Sequence, residues 1–150
     1  LIKKYPEKKA VFEKNTAAYL EKLTALDKEY QAAFAGAKNR TFVTQHAAFG
    51  YLAKQYGLTQ EPIAGISPDQ EPSPSRLAEL KKYIKTNNVS VIYFEASAST
   101  KVAKTLADET GVELAVLNPL ESLTQKEQEA GENYVSVMKE NLAALQKSIH

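Results

Sequence analysis

The chain has 150 residues, a length that suits one ordinary domain, with 43% hydrophobic and 25% charged residues. Its 19 Lys and Arg nearly cancel 18 Asp and Glu, for a formal net charge of +1, so charge gives no case for nucleic acid or an anionic membrane as partner. It has no cysteine, which excludes disulfides, thiolate metal sites and a cysteine nucleophile, and fits an extracytoplasmic protein only weakly.

No signal peptide, lipidation cysteine or long apolar run is present. The opening L-I-K-K-Y-P reads as the middle of a longer protein, so an amino-terminal part, with any targeting signal, is expected to be missing. Residues 6–36 read as one long amphipathic helix. Phe12, Tyr19, Leu23, Leu26, Tyr30 and Phe34 recur at spacings of seven, four, three, four and four, with lysines and glutamates on the other faces. The heptad is too short-lived for a coiled coil, so a packing helix is expected.

The run Arg40-Thr41-Phe42-Val43 is β-type. After it, T-Q-H-A-A-F-G-Y-L-A-K-Q-Y-G predicts a helix from Thr44, with Ala48, Phe49, Leu52, Ala53 and Tyr56 inward and Gly57 as its stop. His46 then lies at a strand-to-helix junction. Residues 58–66 read as a short strand near an edge, given Pro62. The Pro- and acid-rich stretch 67–74 reads as a rigid loop into a helix with Ser73 as N-cap and Pro74 in its first turn, ending at Asn87-Asn88.

V-S-V-I-Y-F, residues 89–94, is the clearest strand, apolar enough to be buried on both faces. Glu95 follows it. A helix over about 100–110 stops at Gly111, and 112–117 is another strand, with Glu121 just past it. A polar loop over 124–131 leads to a last helix carrying Tyr134, Val137, Met138, Leu142 and Leu145. A helix followed by strand–helix units predicts an α/β fold: a Rossmann-like parallel sheet of about four strands, helices on both faces and right-handed crossovers. No glycine-rich phosphate motif is present, so nucleotide binding has no support.

Three polar groups, His46, Glu95 and Glu121, fall at carboxyl ends of predicted strands. These ends share one rim of a parallel sheet, where ligands of open α/β folds bind. Imidazole plus carboxylate without thiolate suits zinc or manganese. A histidine general base oriented by a carboxylate is the alternative chemistry, but no nucleophile or oxyanion hole is evident, and Ser97 and Ser99 sit in no recognisable elbow. The plainer alternatives are a capping or packing role for His46 and, for each glutamate, a helix-dipole role. A pure interaction domain with an incidental histidine also remains open.

Four motifs, F-V-T-Q-H-A-A-F-G-Y-L-A-K-Q-Y-G-L, G-I-S-P-D-Q-E-P-S-P, V-I-Y-F-E-A-S and L-N-P-L-E-S-L, occur in this order. With their spacing they resemble the carboxyl-terminal lobe of the metal receptors of bacterial zinc and manganese ABC importers, most of all the streptococcal zinc type. The resemblance covers essentially the whole chain. It implies two α/β lobes joined by a long helix, with one metal site between them, and a binding protein with no enzymatic activity. Residues 1–36 would be the inter-lobe connecting helix and 37–150 the carboxyl-terminal metal-binding lobe, with the amino-terminal lobe missing. His46 matches the third ligand of a four-ligand site and Glu121 the fourth, where many relatives carry aspartate. Glu95 matches a rim acid that orients other groups from the second shell. Histidine at the His46 position favours Zn2+ over Mn2+, since manganese receptors usually carry glutamate there. The implied partners are the zinc ion, a membrane ABC permease and the absent lobe. The implied location is the outer face of the cell membrane, by lipid anchor, or the periplasm of a Gram-negative cell. Two ligands make half a site, so weak zinc binding is expected unless a second copy contributes, with His150 as a further candidate donor. An uncovered connecting helix favours self-association.

Overall fold

A computed structural model describes residues 1–67, 70–96 and 99–150. The middle of the expected rigid loop, at Pro68 and Asp69, and Ser97 lie outside these residues.

A 3-10 turn at Pro6–Lys8 leads directly into α1, Lys9–Phe34. Of the expected apolar face, only Leu26, Tyr30 and Phe34 are buried. Val11, Tyr19 and Leu20 are exposed, and among the described residues none in the first half of this helix is buried. The second half is firmly held. Tyr30 stacks on Tyr56 with ring centroids 4.9 Å apart, and its hydroxyl donates to the Met138 carbonyl at 2.7 Å. The Tyr56 hydroxyl donates to Asp27 at 2.9 Å. Burial raises the pKa of both phenols, so they remain protonated donors.

Four strands follow: β1 (Thr41–Thr44), β2 (Thr59–Pro62), β3 (Val91–Phe94) and β4 (Glu113–Val116). They form one sheet in the order β2-β1-β3-β4, every pair parallel. The helices between and after them are α2 (Gly50–Tyr56), α3 (Pro74–Thr86), α4 (Lys101–Thr110), α5 (Gln125–Glu129) and α6 (Tyr134–Leu145). Strand alternation sends Phe42, Val91, Tyr93 and Ala115 to one face, against α1, α2 and α6. Val43 and Ile92 point to the other, against α3 and α4. The expected Rossmann-like α/β architecture is therefore present, with helices on both faces and the Pro62 strand at the edge, where its missing N–H breaks no ladder.

Terminators behave as their chemistry requires. Gly57 and Gly111 close α2 and α4 with φ of 65° and 75°, a region open to glycine and costly for other residues. Ser73 caps α3, accepting from the Arg76 N–H at 3.2 Å, with Pro74 in the first turn. Arg40 serves two helix ends at once, donating to the Phe34 carbonyl at 2.9 Å and the Tyr56 carbonyl at 3.2 Å.

Two expectations are corrected. The helix expected from Thr44 begins only at Gly50, and Ala48 is exposed. The backbone of 45–47 bonds sideways instead of along a helix. Ala47 N–H donates to the Gly65 carbonyl and Ala64 N–H to the Gln45 carbonyl, both at 2.9 Å. The His46 carbonyl accepts from Thr44 Oγ1 at 2.8 Å and Gln60 Nε2 at 2.9 Å. The expected polar loop over 124–131 contains α5, nucleated by a reciprocal capping box between Thr124 and Glu127. The sequence signal for it is T-Q-K-E.

At the carboxyl end of the chain, the His150 carbonyl accepts from the N–H groups of Lys38 (2.8 Å) and Asn39 (2.9 Å), ahead of β1. Tyr93 anchors the same segment from beneath the sheet, donating to the Ala144 carbonyl and pairing with Ser148 Oγ, each at 2.8 Å. Burial pushes this phenol up to about 12. No helix among the described residues is long and apolar enough to cross a membrane.

Candidate metal centre

β1 and β3 are adjacent, so the segments leaving their carboxyl ends leave side by side. That adjacency brings His46 to Glu95. His46 is 2% exposed and Glu95 4%, and the imidazole Nδ1 is hydrogen-bonded to Glu95 Oε1. Gln45 ties the two segments together. Its side-chain carbonyl accepts from the Glu95 N–H at 3.3 Å, and its amide donates to the Ser99 carbonyl at 2.9 Å.

A buried carboxylate on Nδ1 fixes the ring. A proton on Nδ1, directed at Glu95, would leave the Nε2 lone pair for the rim, an arrangement in which histidine can ligate a metal. The group opposite Nε2 is Glu121, with its Oε1 at 3.4 Å. Glu121 lies in the loop after β4, and its side chain is 63% exposed. The residue before it, Leu120, has φ of 61°. That left-handed conformation costs a non-glycine residue about 1 kcal/mol, so the loop is held in it by other contacts.

The 3.4 Å separation carries chemical information. Two donors on tetrahedral zinc, with metal–ligand bonds of about 2.0–2.1 Å, sit about 3.3 Å apart. His46 Nε2 and Glu121 Oε1 stand at a long hydrogen-bonding distance, which is also about the spacing of one edge of a zinc tetrahedron. Among the described residues, no group of three His, Cys, Asp or Glu side chains forms a cation cage. The rim offers two outward donors, with Glu95 engaged behind the histidine.

All three rim residues expected from the sequence are thus together, although His46 and Glu121 are 75 positions apart. His150 is not with them, since its main chain is bonded ahead of β1 and His46 follows the far end of that strand. Sequence reasoning missed the supports: Thr44, Gln45 and Gln60, which shape the His46 turn. Thr44 and Gln45 stand in the same T-Q-H run, but reading that run as helix hid their roles.

The family model described as zinc-uptake complex component A, periplasmic (ZnuA), matches residues 1–148. The chain belongs to this family of solute-binding receptors. It is 59% identical, over 144 residues, to the zinc-binding lipoprotein AdcA of Streptococcus pneumoniae (strain TIGR4), covering 96% of this chain and 29% of that protein. It is 54% identical to the high-affinity zinc uptake system protein ZnuA of Bacillus subtilis, covering 99% of this chain and 47% of that one. Among solved structures, the Zn(II)-bound ZnuA-like domain of S. pneumoniae AdcA superposes with a TM-score of 0.84 at 57% identity, covering 99% of this chain and 55% of that one. The chain thus spans between 29% and 55% of the length of these relatives.

Proposed function

We propose that this chain is the carboxyl-terminal lobe of an extracellular zinc receptor and supplies two donors, His46 Nε2 and Glu121, to a site that captures Zn2+ for an ABC importer. The observation that carries the proposal is the Nε2–Oε1 separation of 3.4 Å behind a ring whose other nitrogen is held by Glu95. The zinc-binding names of its relatives support the choice of metal, as does the borderline-soft imidazole donor, which suits zinc better than manganese. The remaining donors come from residues outside this chain, which spans 55% of the Zn(II)-bound domain it superposes on.

The chemistry is coordination and release, not bond-breaking. His46 Nε2 faces a carboxylate, not a hydroxyl or thiol that it would activate as a nucleophile. Zinc binding displaces any proton on Nε2, and the loaded receptor hands its ion to a membrane permease. Attachment to the outer membrane surface through a lipid anchor fits the lipoprotein relatives. In such a receptor α1 is the helix linking two lobes, and Val11, Tyr19 and Leu20 are covered by the rest of the protein. In this chain alone they meet water and favour self-association.

Zinc titration of this chain, followed through the His46 imidazole resonances, tests the proposal. Binding weaker than about micromolar is expected from two donors. Glu121→Gln weakens it further by about 10-fold. Sub-micromolar binding by a monomer, or an unchanged affinity in E121Q, overturns the half-site.

A further inference from the structure

Glu121 is exposed, yet its loop is not loosely held. Asn141, buried on α6 at 3% exposure, accepts from the Asn118 N–H at 2.8 Å and donates to the Asn118 carbonyl at 2.7 Å. Its amide thus takes the place of a neighbouring strand beyond the end of β4. The Asn118 side chain continues the chain of bonds. Its Oδ1 accepts from the Leu120 N–H at 2.8 Å, and its Nδ2 donates to Glu127 Oε1 at 3.0 Å. The other oxygen of the same carboxylate, Glu127 Oε2, accepts from the Thr124 N–H at 2.6 Å and from Thr124 Oγ1 at 2.8 Å.

One carboxylate therefore bridges the two ends of the loop, Asn118 on one side of Glu121 and Thr124 on the other. The bond from Leu120 N–H to Asn118 fixes the left-handed residue next to Glu121. The clamp also reaches the buried side of the centre: Asn118, Thr124 and Glu127 line a small cleft together with Glu95.

We infer that Glu127, acting through Asn118 and Thr124 and backed by Asn141, is a positioning residue that presets the Glu121 loop for metal. The inference rests on the donor role proposed for Glu121. A free loop has to be ordered at the moment of binding, and that cost lowers affinity. A clamped loop has been ordered during folding, so the metal meets Glu121 already facing His46. The capping box alone accounts for the Thr124 contacts. It does not account for the bond to Asn118, which lies outside α5.

Glu127→Gln tests this. A Gln side chain has one acceptor oxygen, so it cannot take the Asn118 and Thr124 donors together. Zinc affinity should fall about 10-fold, the lower end for losing an outer-shell partner. Asn118→Asp, which breaks the same contact from the other side and keeps the acceptor for Leu120, should lose a similar factor. The deciding measurement is the double variant. In an E121Q background, E127Q should cost nothing more, because the loop no longer carries a carboxylate to position. An equal loss in both backgrounds, with unchanged thermal stability or not, makes Glu127 a general structural residue and overturns the inference. So does wild-type affinity in E127Q. If E121Q alone leaves affinity unchanged, the donor role of Glu121 falls, and the clamp with it; that single variant separates the two failures.

Discussion

The two metal donors proposed for the rim are held in opposite ways. His46 sits at 2% exposure on a turn bonded to β3 and to the loop after β2, with a buried carboxylate on its inner nitrogen. Glu121 has a side chain 63% exposed, on a loop secured by bonds at Asn118, Leu120, Leu123 and Thr124. The histidine is part of the core. The glutamate's side chain lies on the surface, over a backbone that the Glu127 clamp holds in place. In the proposed metal-donor roles, the buried histidine would define the site and the exposed carboxylate would be the side chain able to swing away from the ion.

The contrast is broken most severely by His46→Ala. Removing Nε2 should reduce zinc affinity by more than the roughly 100-fold upper limit for outer-shell changes, and by far more than Glu121→Gln. Calorimetric titration of the two variants side by side checks the ranking, and equal losses would erase the distinction. Next in size is Glu95→Gln. It keeps the shape of the partner but weakens the hold on the Nδ1 proton, at a cost of about 10-fold in zinc affinity. Nitrogen NMR of the imidazole should then show a mixed tautomer, where the native protein shows one.

The smallest effect sharpens the other side of the comparison. Backbone and side-chain hydrogen bonds from Thr124, with a further one from Asn118, hold the Glu127 carboxyl below its ordinary range. A depressed carboxylate contributes its contacts fully above its unfolded pKa and loses them as pH falls through the folded one. The Thr124 amide proton should therefore shift at a pH below the usual Glu range. An amide titrating in the ordinary Glu range would remove the evidence for a charged clamp.

Much of the layout was legible in the sequence because the strands declare themselves. The β-branched run before Glu95 and the glycine stops at 57 and 111 fix where elements end, and in a parallel sheet the ends of strands share a rim. The convergence of His46, Glu95 and Glu121 follows from that topology. What escaped was the backbone of 45–49. Its residues have helical spacing, but their carbonyl and N–H groups find partners on the loop after β2, and no local pattern reports a partner so far along the chain. The half-exposed face of α1 escaped for the same reason, since periodicity marks a face and does not say how far the neighbouring layer extends. The capping box at Thr124 was there to be read.

α1 has a mechanical consequence. A helix of 26 residues is about 39 Å long, and it is gripped only near one end. Asp27, Tyr30 and Phe34 press on Tyr56, the last residue of α2, while the Tyr30 hydroxyl and Glu29 reach Met138 and Lys139 on α6. Such a helix is a lever whose fulcrum lies ahead of β1, where Arg40 joins the carbonyls that end α1 and α2. A small tilt at the far tip becomes torque on α2 and α6, multiplied by the length of several helical turns.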